Sequence, residues 1–279
     1  MIFIYLQLLI TALLTASCCA LPGTFLVLRG TSFMSDALGH AILLGIVISF
    51  LIIQELHHPF MYIGATMFGL ITVGLIELLI KTKKVHPDGA IGLMFPLLFS
   101  VAIVLINLFA SSVHLDLDAI LLGELTLTPL KQVTIGNVDC GSYAIWTMSI
   151  ILITNIITIA ANFKAFSIAT FDHNFASLLN FKPHFIHYII MMMTCWTIVA
   201  SFECAGAILV VAFMITAPAT AQLITNRLTH MLIVSVLIGT IGAASGCIMA
   251  HVCNVSIAGS IATMNGVLFF TVFLSQKFK

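Results

Sequence analysis

The chain has 279 residues, 61% hydrophobic and only 7% charged, with ten basic and ten acidic side chains balancing to a formal net charge of zero. Soluble domains carry roughly 25% charged residues, so this composition, with a mean hydropathy of +1.20, excludes a soluble globule and predicts an all-α, polytopic membrane helix bundle. Zero net charge excludes nucleic acid as a partner. The seven cysteines hold no CxxC spacing and mostly sit in apolar runs, which excludes a disulfide framework or zinc cluster.

Crossing a roughly 30 Å hydrocarbon core takes about 20 apolar residues. Runs of that kind fall near 3–21, 36–55, 60–80, 91–110, 143–162, 185–203, 206–224, 230–250 and 257–275. The expectation is therefore eight to nine spans in a single transmembrane domain over 1–279, with 206–224 interrupted by Pro218. The first run lacks the positive flank of a secretory signal and reads as a retained helix. The basic loop KTKKVHPDG (81–89) belongs on the cytoplasmic side. Alternating outward from it leaves only Lys131 of the ten basic residues outside, provided there are nine crossings.

The second run carries the chemistry. Asp36 and His40 stand four residues apart, a spacing that puts both on one helix face with Cβ atoms roughly 6 Å apart. Their neighbours Met34, Ala37, Leu38, Ala41, Ile42, Leu43 and Leu44 cannot neutralise a carboxylate. An ionisable group at mid-membrane costs about 3 kcal/mol on insertion scales. A carboxylate and an imidazole converging there are oxygen and nitrogen donors for a divalent cation. Two donors leave a shell incomplete, so others come from elsewhere in the bundle, from water or from a second protomer. The competing structural account is a helix-entry aspartate capping its turn, with His40 bonded to a neighbouring helix.

Further along, Glu77 is expected to pair with Lys81 one helical turn on. Arg29 and Asp88 fall at inner helix ends and can pair with each other, while Pro87 and Asp88 suit a helix start. The long outer segment 111–142 carries His114, Asp116, Asp118, Glu124 and Asp139, and its 117–127 stretch can form a short helix. His114, Asp116, Asp118 and Glu124, with Glu203 at an outer helix end, are candidates for an outer entrance that attracts cations, against solvated loop charge. The inner segment 163–183 reads as an amphipathic helix. Thr170 or Asp172 is its N-cap, Phe171, Phe175 and Leu178 or Leu179 form its stripe, and Pro183 follows its end. With few basic residues, it suits docking of a protein better than of a membrane surface. His57 and His58 are expected to face solvent and His251 to be interfacial. Small residues (Gly64, Gly69, Gly74; Gly239, Gly242, Gly246; Ala258, Gly259, Ala262) predict close helix contacts.

No G-x-x-x-x-G-K-[ST], H-E-x-x-H or G-x-S-x-G pattern occurs, so the chain is not expected to be an enzyme and carries no ATP-hydrolysing motif of its own. RGTSFMSDALGHAILLG (29–45) resembles the second-helix signature of permease subunits from bacterial ABC importers of zinc, manganese and iron. HPDGAIG (86–92), AILLGELTLTPL (119–130), ATFDHNFASLLNF (169–181) and AGAILVVAFMITAPATAQLI (205–224) resemble further segments of that family in the same order. Departures are Gly89 in place of the usual Thr and Asn180 in place of a Gly.

The resemblance implies a multi-pass protein of the bacterial plasma membrane working as a dimer of permeases, identical or paralogous. It also implies two cytoplasmic ABC ATPase subunits and an extracytoplasmic metal-binding receptor. Asp36 and His40 match the family's metal-coordinating pair, and Phe171, Asp172 and Ala176 its ATPase-docking segment. The cargo implied is Mn²⁺, Zn²⁺ or Fe²⁺, with no tightly bound cofactor. Because only neutral imidazole ligates a metal, transport is expected to weaken in acid. A secondary transporter driven by an ion gradient is the alternative from another class; it needs no ATPase.

Overall fold

A computed structural model describes residues 2–54, 60–109, 125–130, 132–135, 138–179 and 181–277. Their helices are α1 (Ile2–Leu28), α2 (Phe33–Ile53), α3 (Phe60–Lys81), α4 (Pro87–Phe109), α5 (Tyr143–Phe171), α6 (His173–Leu178), α7 (Pro183–Ala205), α8 (Ala207–Ile224), α9 (Leu228–Cys253) and α10 (Ile257–Lys277). Nine of them are long and apolar enough to cross a membrane, all but α6. A short 3-10 helix (Leu125–Leu130) and an antiparallel hairpin of β1 (Gln132–Ile135) and β2 (Val138–Ser142) precede α5. The hairpin's strands alternate polar and apolar residues over only a few positions (QVTI, VDC), a signal that the expectation of a loop with a short helix at 117–127 passes over. It is pinned where the Ser142 hydroxyl donates to the Thr128 carbonyl at 2.6 Å.

Helix starts follow the local chemistry. Pro87 opens α4 and Pro183 opens α7, positions where the missing N–H has no partner to lose. Two helices outrun the expected spans. α1 passes through Pro22 to Leu28, because the residues beyond it stay apolar and packed neighbours tolerate the lost bond in a membrane helix. α5 continues through a kink at Asn162 (φ −111°, ψ 16°) as far as Phe171; there the Asn162 side chain donates to the Thr158 carbonyl at 3.1 Å. The inner amphipathic helix is consequently shorter than its sequence signature, reduced to the six residues of α6.

α1 is the central post, packed by α5, α7, α8 and α9, while α2 lies against α3, α4 and α7. The main core runs through Leu26, Met34, Leu38, Ile42, Val73, Ile198, Phe213 and Met214. Close approach is enforced by small residues. A Cβ on Gly23 would stand 2.2 Å from the Met214 carbonyl oxygen, and one on Gly64 would stand 1.8 Å from Ser49 Oγ. Gly74 faces open space, so this member of the small-residue series has no packing role. Polar side chains stitch the interior. Asn155 of α5 donates to Thr197 Oγ1 of α7 at 2.9 Å, and Thr24 of α1 to Ser235 Oγ of α9 at 3.1 Å.

Candidate metal pair on α2 and an exposed inner helix

Arg29 through Ser32 join α1 to α2 in a tight turn. Gly30 takes φ +67° and the Thr31 N–H returns to the Leu26 carbonyl at 3.0 Å. Arg29 Nη1 reaches His187 Nδ1 at 3.0 Å, and His187 is four residues into α7, about 6 Å along its axis. The Arg29 side chain thus ties the head of α2 to α7 about one turn in from the start of α7, an offset of roughly 6 Å.

That offset gives the metal-ligand candidates their depth. His40 packs against Phe95 and Phe99 of α4, with ring centroids 5.3 Å and 5.5 Å away. Those residues are eight and twelve positions into α4, about 12 and 18 Å from its inner end, near the middle of a roughly 30 Å core. His40 Nε2 lies 3.7 Å from Asp36 Oδ1. His40 Nδ1 is buried with no hydrogen-bond partner, so the two phenyl rings close one side of the imidazole and leave Nε2 as the nitrogen presented with the carboxylate. Both side chains are partly open, Asp36 at 46% and His40 at 31%. Among the described residues no group of three or more His, Cys, Asp or Glu converges, so one chain offers two of the four to six donors that such cations take.

The other site candidates separate. Glu203, at the outer end of α7, accepts a hydrogen bond from the Tyr62 hydroxyl of α3. His114, Asp116, Asp118 and Glu124 lie outside the described residues, as do His57, His58 and Asn180. His251 meets the Tyr5 ring edge-on at 4.8 Å.

Glu77 does not rely on Lys81. Its Oε1 lies 2.8 Å from His187 Nε2 and its Oε2 accepts from the Tyr188 hydroxyl at 2.7 Å. The α7 face beside it supplies two partners that a local helix-pair argument misses. Asp88 lies 3.8 Å from His86 Nδ1, and Arg29 bonds His187 and, through Nε at 3.3 Å, Thr170 Oγ1, in place of the expected Arg29–Asp88 pair. Burial lowers the Arg29 guanidinium to about 10, so it stays charged at neutral pH.

At the inner end of α5, Asp172 switches the chain from one helix to the next. Its Oδ1 accepts the Phe175 N–H at 2.9 Å, the N-cap of α6. Phe171, Phe175, Leu178 and Leu179 are exposed, Leu178 to 82%, while Ala176 is fully buried against Phe166 and Phe25. These four exposed side chains leave an apolar surface displayed at this end of the bundle.

Comparison with known proteins agrees with this architecture. The model of the ABC 3 transport family matches residues 2–276. The manganese transport system membrane protein MntD of Bacillus subtilis is 43% identical over 264 residues, covering 95% of this chain and 89% of that one. The zinc transport system membrane protein TroD of Treponema pallidum is 40% identical over 276 residues, covering 96% and 73%. Among solved structures, PsaBC from Streptococcus pneumoniae in complex with Fab superposes with a TM-score of 0.78 at 28% identity, covering 96% of this chain and 90% of that one. The chain is a multi-pass bacterial membrane protein and belongs to the ABC 3 transport family.

Proposed function

We propose that this chain is the permease subunit of an ATP-driven importer of divalent transition-metal ions, Mn²⁺ or Zn²⁺ first and Fe²⁺ next, with its whole length forming one transmembrane domain. The observation that carries the reading is the Asp36–His40 pair held at mid-membrane depth among apolar side chains. Relatives that span nearly all of this chain are named for manganese and zinc transport, which supports the cargo class.

Asp36 supplies charge compensation for a dehydrated cation, and His40 Nε2 supplies a borderline nitrogen donor. Two protein donors make a weak site, which suits an ion that must leave as readily as it arrives. The remaining donors come from water or from a second copy or paralogue of the permease across the open side of the pair. A cytoplasmic ABC ATPase docks on Phe171 and Phe175 around the Asp172 cap, with buried Ala176 fixing α6 to the bundle. An extracytoplasmic receptor delivers the ion near the outer end that holds Glu203.

Uptake of radiolabelled Mn²⁺ and Zn²⁺ into cells expressing the full complex tests this. Asp36→Ala and His40→Ala should each abolish accumulation of the transported metal at unchanged membrane levels. Uptake that survives both substitutions makes the pair structural. Uptake that persists after ATP depletion while the proton gradient is maintained favours a secondary transporter.

A further inference from the structure

A second polar cluster, outside the metal pair, sits at the inner end of the bundle. Arg29, from the α1–α2 turn, donates through Nη1 to His187 Nδ1 at 3.0 Å and through Nε to Thr170 Oγ1 at 3.3 Å. His187 Nε2 faces Glu77 Oε1 at 2.8 Å, and the Tyr188 hydroxyl closes on Glu77 Oε2 at 2.7 Å. Since a guanidinium can only donate, Nδ1 accepts from Arg29, and Nε2 faces the carboxylate. The imidazole thus stands between a cation and an anion.

The four anchor points belong to four different elements. Glu77 is on α3, His187 on α7, and Thr170 on the last turn of α5, two residues before the Asp172 cap of α6. Arg29 stands seven residues before Asp36, on the turn that leads directly into α2. Arg29 Nη2 is buried without a hydrogen-bond partner. An unmet guanidinium donor in this cluster leaves room for a second arrangement, in which that donor finds an acceptor.

We propose that Arg29, bonded to Thr170 and to the His187–Glu77 pair, is a positioning residue that transmits displacement of the docking helix α6 to the head of α2, and so sets the placement of Asp36 and His40 during transport. It rests on the reading that α6 docks the ATPase. The cluster has two arms. The Thr170 arm receives motion from α5 and α6; the His187–Glu77 arm holds the α1–α2 turn at its depth against α3 and α7. Cutting the first arm should uncouple ATP turnover from ion movement while leaving the metal pair intact.

The test uses the permease assembled with its ATPase in proteoliposomes, reading Mn²⁺ ions imported per ATP hydrolysed, with equilibrium Mn²⁺ binding to the solubilised complex as an independent readout. Thr170→Val keeps the side-chain shape and removes the acceptor for Arg29. His187→Gln keeps a donor toward Glu77 and shifts its amide oxygen off the Nδ1 position that Arg29 uses. Each should lower ions per ATP by roughly five-fold, with ATPase rate and Mn²⁺ binding within about two-fold of wild type. Combined with Arg29→Lys, Thr170→Val should add nothing, since both cut the same arm. Unchanged ions per ATP in Thr170→Val and His187→Gln overturn the proposal. So does a parallel fall of ATPase rate, Mn²⁺ binding and thermal stability, which marks a purely structural cluster. Phe171→Ala separates the premises. If it still binds the ATPase fully, the docking reading falls and the proposal with it. If it loses the ATPase while Thr170→Val stays silent, the positioning role alone falls.

Discussion

Asp172 does two jobs with one side chain: its extended backbone (φ −143°, ψ 101°) ends α5, and its carboxylate caps α6. Replacing such a cap by Ala costs about 1 kcal/mol, which matters greatly for a helix of six residues. Asp172→Ala should therefore weaken ATPase binding to the purified permease by roughly five-fold, measured by titration of labelled ATPase; an unchanged affinity would show that α6 holds its shape without the cap. Asp172 was readable as a cap from the residues around it, because capping is local. Glu77 was not. Its actual partners, His187 and Tyr188, come from a helix more than a hundred positions away, whereas Lys81 was the only neighbour that periodicity could offer. The same limit applies to His40. Its spacing to Asp36 is a property of one helix, but the two phenyl rings that orient it arrive from α4.

The spanning helices were legible because each buries or exposes a continuous apolar run to lipid, a signal that survives without knowledge of partners. Element ends were less so, for identifiable reasons. The first apolar run was expected to end near 21, yet α1 continues and uses Gly23 for contact with α8, its absent Cβ admitting the Met214 carbonyl. Gly23→Ala should destabilise the protein by about 1–3 kcal/mol, the scale of an overpacked core site. Gly74→Ala, which meets open space, should be neutral or gain about 0.5–1 kcal/mol from helix propensity. Thermal unfolding in detergent compares the two directly; equal shifts would mean that the α1–α8 approach is not tight. The hairpin before α5 went unread because its alternation, QVTI and VDC, covers too few residues to stand out in a long loop, and its order draws on the Thr128 carbonyl.

At the scale of the molecule, the Asp36–His40 pair is partly open and, among the described residues, joins no larger cluster of ligating side chains, the opening that the proposed second permease would cover. Phe33, exposed one turn before Asp36 on α2, should come close to its counterpart across that opening. Phe33→Cys in a background without other cysteines is expected to form an oxidant-dependent covalent dimer in membranes, seen by non-reducing electrophoresis. Monomer only, at full oxidation, would place the partner on another face.

The helices surrounding α1 are also unequal in length. α8 has 18 residues and turns directly out of α7 at Gly206, while its neighbour α9 has 26; these correspond to about 27 and 39 Å. The shorter one scarcely matches a typical hydrocarbon thickness and the longer must tilt to fit it. Acyl-chain length should consequently act as an adjustable load on the bundle. Transport in vesicles of long-chain lipids should slow relative to short-chain ones, as a thicker bilayer stretches the fit around α8 and draws α9 upright.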